Sequence, residues 1–172
     1  MKVFLIGLPA SGKTTIGLEL SSILDLAFID LDREVEREEG MSIQRIFEEH
    51  SEDHFRKTET GILKKYCDGP SEFVMATGGG TPCFFDNIDM MNRAGKSVFL
   101  DVPVPILAQR MKLTTLSIRP LFAHTKPEGI QDQLQRMRSQ RLPYYVRSLA
   151  TVSGENIKSS EVLEVIKKES RM

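Results

Sequence analysis

Apolar residues along this chain alternate between two rhythms. Short unbroken runs predict buried strands at residues 2–6, 27–30, 73–76, 97–100 and 149–152. Between them the apolar positions fall at helical spacing, as at Ile16, Leu20, Ile23 and Leu24. Helices are predicted over 15–24, 31–39, 51–66, 87–93, 105–113, 128–144 and 161–168. Gly40 ends the second of these, and Asp68-Gly69-Pro70 stops the third. Ser42 is placed to cap a further short helix with Ile43, Ile46 and Phe47 on one face. Residues 114–127 show no period and contain two prolines, which predicts a surface loop. Strands alternating with helices predict an α/β domain with a parallel sheet covered on both faces. No repeat, linker or low-complexity tract divides residues 1–172, so one domain is expected.

The first strand runs directly into Gly7-Leu8-Pro9-Ala10-Ser11-Gly12-Lys13-Thr14, a complete G-x-x-x-x-G-K-[ST] match. Its position between a strand and a helix is the one its chemistry needs. Glycines let backbone N–H groups turn inward around phosphate oxygens, and the helix N-terminus adds partial positive charge. Lys13 is placed to reach the β- and γ-phosphates, and the Thr14 hydroxyl to coordinate Mg²⁺.

Composition narrows the partners. Lys+Arg of 23 against Asp+Glu of 24 gives a net charge of −1, which argues against a general nucleic-acid binder. No apolar run approaches the roughly 20 residues of a membrane span. Two cysteines, Cys67 and Cys83, are too few for a disulfide framework. A nucleotide-binding loop and so little cysteine predict a reducing cytoplasm.

Sites in open parallel sheets form beyond the C-terminal ends of the strands. After the second strand stand Asp30 and Asp32. On extended chain their carboxylates share a side: one suits the Mg²⁺ shell, the other a proton from a hydroxyl. The competing reading is that one of them only caps the next helix. After the third strand come Gly78-Gly79-Gly80, which suit a close backbone approach to a ligand or, more simply, a tight turn. Arg56, Arg119 and Arg141 stand out by position, although any one alone reads as a solvated charge. Arg136, Arg138 and Arg147 compete with Arg141 on composition. His50, His54 and His124 have no ligand spacing and read as structural, as do the cysteines.

Taken together, these residues resemble shikimate kinase. The features that carry the resemblance are the phosphate loop, Asp30-Leu31-Asp32, Phe55-Arg56-Lys57-Thr58-Glu59, the glycine triplet, Arg119-Pro120, and Arg141, Pro143 and Tyr145 as Arg-x-Pro-x-Tyr. They span nearly the whole chain in the family's order. The resemblance implies a three-layer P-loop kinase fold with a five-stranded parallel sheet, like the nucleoside monophosphate kinases. It implies a mobile lid at about 114–127 and substrate-binding helices at about 31–66. The implied reaction is ATP-dependent phosphorylation of the shikimate 3-hydroxyl in aromatic amino-acid biosynthesis.

The resemblance also implies roles. Lys13, Asp32 and Arg119 would be catalytic, with Asp32 holding ring hydroxyls and taking the proton. Gly7, Pro9, Ala10, Ser11, Gly12, Lys13, Thr14, Thr15, Arg110 and Arg119 would contact ATP, Arg110 by stacking on adenine. Arg56 and Arg141 would clamp the shikimate carboxylate beside Asp32, and Gly79 would give a backbone contact. Thr14 and Asp30 would serve Mg²⁺. A cytoplasmic monomer binding neither nucleic acid nor membrane is implied. Two departures stand out. Ala10 sits where the family often has Gly, at one of the free x positions of the octet. The adenine segment near Ser153-Gly154-Glu155-Asn156 lacks a proline.

Three other readings compete, one of them an inactive relative that only binds nucleotide, against which every expected catalytic position is filled. A gluconate or nucleoside monophosphate kinase would share the octet, but would not require two arginines beside Asp32. A GTP-binding switch finds an echo in Thr125-Lys126-Pro127-Glu128, yet that element ends in Glu and has no D-x-x-G partner after a strand.

Overall fold

The computed structural model describes residues 1–113 and 129–169. Five parallel strands form one sheet among these residues: β1 (Lys2–Ile6), β2 (Ala27–Asp30), β3 (Phe73–Ala76), β4 (Lys96–Asp101) and β5 (Ala150–Ser153). Their spatial order is β2-β3-β1-β4-β5. β1 is central, paired Phe4 to Met75 on one side and Phe4 to Ser97 on the other. Strands preceding β4 in sequence lie to one side of β1, and β4 and β5 lie to the other. The winding reverses there, and α/β sheets place their ligand crevice at such a reversal.

Alternation along the strands sorts the two faces. Val3 and Leu5 of β1 join Val74, Val98, Leu100 and Val152 on one face. That face is covered by α1 (Lys13–Leu24) through Ile16 and Leu20, and by α8 (Ser159–Glu169) through Val162 and Ile166. Phe4 and Ile6 join Phe73, Met75 and Phe99 on the other. Over them lie α2 (Leu31–Glu39), α4 (Glu52–Asp68), α5 (Asn87–Ala94), α6 (Val104–Lys112) and α7 (Ile130–Tyr145), with α3 (Ile43–Glu49) adding Ile46. Every residue of β1 from Val3 to Ile6 is fully buried, which is why it reads as an unbroken apolar run.

Local chemistry sets the helix ends. Ser42 accepts from the Arg45 N–H and Ser51 from the His54 N–H, capping α3 and α4. Gly40 closes α2 in the left-handed conformation, as expected from its place after the pattern. One element was absent from the sequence pattern, and one carries a proline inside it as the pattern predicted. A 3₁₀ turn, Thr81–Cys83, follows the glycine triplet. α7 runs through Pro143 to Tyr145. A proline normally ends a helix; here the next turn is anchored by Tyr145, fully buried against Phe99 at 5.1 Å. The predicted loop and lid at 114–127, with Arg119, His124 and Thr125-Lys126-Pro127-Glu128, lies outside the described residues.

Candidate active site

The phosphate loop leaves the end of β1 and turns into α1. Gly12 caps α1 at φ 96°, a left-handed angle that favours glycine. Ala10 adopts φ 64°, so an L residue bears the left-handed conformation here. Its carbonyl is held by Arg110 Nη1 at 3.1 Å. Lys13 Nζ curls over the loop, donating to the carbonyls of Gly7 at 2.9 Å and Leu8 at 3.0 Å. The Ser11 hydroxyl is buried with no hydrogen-bond partner among the described residues. A buried unpaired hydroxyl is costly, and a phosphate oxygen is the kind of acceptor it suits.

The two aspartates part company. Asp30 ends β2 and caps α2, its Oδ1 accepting from the Arg33 N–H at 3.4 Å. Its Oδ2 lies 3.5 Å from Thr14 Oγ1. Asp32 is not on extended chain, as the i, i+2 argument required. It sits in the first turn of α2, because the chain enters the helix at Leu31. Helical geometry turns it away from Asp30 and towards the glycine triplet: a Cβ on Gly78 would lie 2.8 Å from Asp32 Oδ1.

That triplet is the meeting point of the second half of the site. A Cβ on Gly78 would also lie 2.8 Å from Glu59 Oε1. One on Gly79 would lie 2.8 Å from Arg141 Nη1, and one on Gly80 2.5 Å from Arg56 Nη2. A side chain at any of the three would have to push one of these charged groups aside. Arg56 is only 6% exposed and Glu59 is fully buried, so neither is a surface charge. Arg56 Nη1 donates to Glu59 Oε2 at 2.9 Å, and Thr81 Oγ1 donates to Glu59 Oε1 at 2.5 Å. The Arg56 guanidinium lies over the rings of Phe84 at 4.4 Å and Phe55 at 4.9 Å. Glu59 thus balances a buried arginine and fixes its direction.

Electrostatics single out Asp32. Burial pushes its carboxyl from 3.8 up to about 6, helped by the carboxylates of Glu59 and Asp30 and opposed by Lys13 and Arg56. That value suits proton acceptance near neutrality. Burial raises Glu59 as well, against the pull of Arg56.

One cavity of about 880 Å³ joins the two halves. It is lined by Pro9, Ala10, Ser11, Gly12, Lys13, Thr14, Thr15, Asp30, Asp32, Arg56, Gly79, Arg110 and Arg141. Gly7 does not line it and acts through its carbonyl. Arg138 and Arg147, rivals of Arg141 in composition, are paired elsewhere: Arg138 with Asp101 at 2.6 Å and Arg147 with Asp89 at 2.5 Å. His54 contacts Glu39 at 3.0 Å and stacks on His50, outside the cavity lining. Arg110 also donates to the Glu155 carbonyl at 2.6 Å, which brings the expected adenine segment beside the loop. Sequence reasoning left Phe47 without a part and Glu59 and Tyr145 as mere motif letters. The signal for Glu59 was its i, i+3 spacing from Arg56, which puts both on one helix face. Phe47 and Phe55, 5.1 Å apart, form an apolar cavity wall beside Arg56.

The phosphate loop, two arginines and the buried Asp32 thus share one cavity. The shikimate kinase family model covers residues 9–171. The chain belongs to the shikimate kinase family. It is 34% identical over 163 residues to the shikimate kinase of Phocaeicola vulgatus, covering 95% of this chain and 92% of that one. The crystal structure of shikimate kinase from Bacteroides thetaiotaomicron matches with a TM-score of 0.89 at 28% identity, covering 100% of this chain and 99% of the other. Shikimate kinase from Acinetobacter baumannii in complex with shikimate matches with a TM-score of 0.88 at 29% identity, covering 98% and 93%. Family membership and the five-stranded parallel P-loop fold agree with the sequence reading.

Proposed function

We propose that this chain transfers the γ-phosphoryl group of ATP to the 3-hydroxyl of shikimate, giving shikimate 3-phosphate and ADP in aromatic amino-acid biosynthesis. The observation that carries this is the convergence of Arg56, Arg141 and Asp32 on the glycine triplet, in the cavity that also holds the phosphate loop. Two guanidinium forks suit one carboxylate, and a carboxylate beside them suits hydroxyls on the same small ring.

In this reading Arg56 and Arg141 hold the shikimate carboxylate, with a backbone contact from Gly79. Asp32 bonds the ring hydroxyls and accepts the proton of the 3-hydroxyl as its oxygen bonds to the γ-phosphorus. Lys13 swings from the Gly7 and Leu8 carbonyls to the β- and γ-phosphates, and Ser11 and the loop N–H groups hold the phosphates. Arg110 sits against adenine. Arg119 is assigned to the transferring phosphoryl group on the family pattern alone.

Thr14 and Asp30 are the residues that would hold Mg²⁺. A hydroxyl and a carboxylate side by side at the phosphate loop are hard oxygen donors of the kind this ion takes. Such an ion draws its other ligands from phosphates and water. When bound, the ion would neutralise charge developing on the phosphates.

Residues 1–172 act as one domain in this reading, with helices from 31–66 forming the acceptor wall. Ser42, Ile43, Phe47 and Arg56 of that stretch line the cavity. Because one chain supplies both halves of the site, a monomer suffices. We place it in the cytoplasm, where its co-substrate is made; among the described residues no helix is long and apolar enough to cross a membrane. The test is ADP release with ATP and Mg²⁺ against a panel of acceptors. Shikimate alone should support turnover. Turnover with gluconate or a nucleoside monophosphate and none with shikimate would overturn the reading.

A further inference from the structure

The glycine triplet has its carbonyls engaged. Gly78 accepts from the Thr81 N–H at 3.1 Å, and Gly80 from the Cys83 N–H at 2.9 Å. The Gly79 carbonyl accepts from the Tyr145 hydroxyl at 2.5 Å. Tyr145 comes from α7, distant in sequence, and its ring is fully buried. Arg141 stands one helical turn earlier on the same face, and its Nη1 also lies close to Gly79. The phenol and an arginine of the clamp therefore meet at the middle residue of the triplet. Burial raises the phenol's pKa, so the hydroxyl keeps its proton for the Gly79 carbonyl.

The C=O and N–H of a trans peptide point in opposite directions. Holding the Gly79 carbonyl against α7 turns the Gly80 N–H away from the buried ring. A flipped peptide would instead aim a carbonyl oxygen at a bound carboxylate. Glycine is free enough to make that flip, so some other group must prevent it.

We propose that Tyr145 is a positioning residue for carboxylate recognition. Its hydroxyl locks the Gly79–Gly80 peptide beside Arg141, so that a bound carboxylate meets only hydrogen-bond donors. This rests on the reading of Arg56 and Arg141 as the carboxylate clamp.

Tyr145→Phe tests it, since the ring stays and only the hydroxyl is lost. Phe99→Leu serves as a packing control, because it loosens the ring's bed and leaves the hydroxyl. Tyr145→Phe should raise the KM for shikimate about tenfold, the scale of one hydrogen bond. The KM for ATP should stay within twofold. The enzyme should also discriminate less between shikimate and its uncharged primary amide, measured as a competing ligand. Phe99→Leu should lower Tm and keep that discrimination. The proposal is overturned if Tyr145→Phe leaves the shikimate KM within twofold. It is equally overturned if both variants raise both KM values in step with lost Tm. A shikimate KM raised by Arg141→Lys but not by Tyr145→Phe sinks this proposal and leaves the clamp standing. If Arg141→Lys also leaves it unchanged, the clamp fails first and the proposal with it.

Discussion

The two ends of the cavity are built by opposite means. The phosphate end is eight consecutive residues, made chiefly of backbone and the start of one helix. The acceptor end takes Asp32 from α2, Arg56 and Glu59 from α4, three glycines after β3 and Arg141 from α7. A phosphate can be held by N–H groups that any residue supplies, so the first end needs only local conformation. A single carboxylate on a small ring must be told from other anions. That takes side-chain forks held at fixed angles, and fixed angles come from packing. Burying Arg56 beside Glu59 costs desolvation that only the paired geometry offsets. The phosphate end should therefore tolerate small changes of shape, and the acceptor end should not.

The largest effects are expected where the ends meet. Asp32→Asn should lower kcat by roughly 10²–10⁴-fold, the range for losing a general base. In the parent enzyme kcat/KM should fall as pH drops through about 6, because Asp32 must be ionised to accept a proton. That acidic limb should vanish in the variant. The stability sign is opposite. A carboxyl raised from 3.8 to about 6 favours the fold when protonated, and that contribution is lost as pH rises to about 6. Asp32→Asn should thus be no less stable than the parent at pH 7, by chemical denaturation. An active, pH-insensitive variant would remove Asp32 from the reaction.

Next, Lys13→Ala should cut turnover by about 10²–10³-fold, the scale of losing one donor at a developing charge. Its Tm should barely move, since the ammonium lies over the loop rather than in the core. Equal losses in Tm and activity would make Lys13 structural. At the other end, Arg56→Lys and Arg141→Lys should each raise the shikimate KM about 10- to 100-fold, the worth of a charged hydrogen bond. ATP binding should stay near normal by isothermal titration. A matching loss of ATP affinity would erase the distinction between the two ends. The smallest effect is expected at Ala10, where Ala10→Gly relieves a left-handed φ but adds chain entropy. Stability should rise by no more than about 1 kcal/mol, with the KM for ATP within twofold. A large change in either would show that the phosphate loop is as shape-sensitive as the acceptor end.

The strands, most helix caps and the phosphate loop were legible in the sequence because each rests on short-range chemistry. Ser42, Ser51 and Gly40 end helices by bonds or angles within a few residues. Asp30 was legible twice over, as a cap and as a neighbour of Thr14. Asp32 lies in the cavity but not in the extended geometry the sequence suggested, because the chain becomes helical one residue before it. The helical pattern ran through Pro143 to 144, and burial of Tyr145 holds that last turn of α7 in place. Apart from the Arg-x-Pro-x-Tyr pattern, nothing local separates Arg141 from Arg138, three residues away on the same helix. Their partners do, and Asp101 lies on a different element from either.

The sequence by itself determined the alternation of strand and helix, the nucleotide loop and the ordered motifs of the family. Those depend on periodicity and on neighbours within one or two turns. Tertiary structure decided that Arg56 is buried and balanced by Glu59, that Asp32 titrates near 6, and that Arg141 rather than Arg138 faces the glycines. Each of these depends on desolvation and on charges brought together from elements far apart in the chain, and neither quantity exists until the sheet and its helices have closed around them.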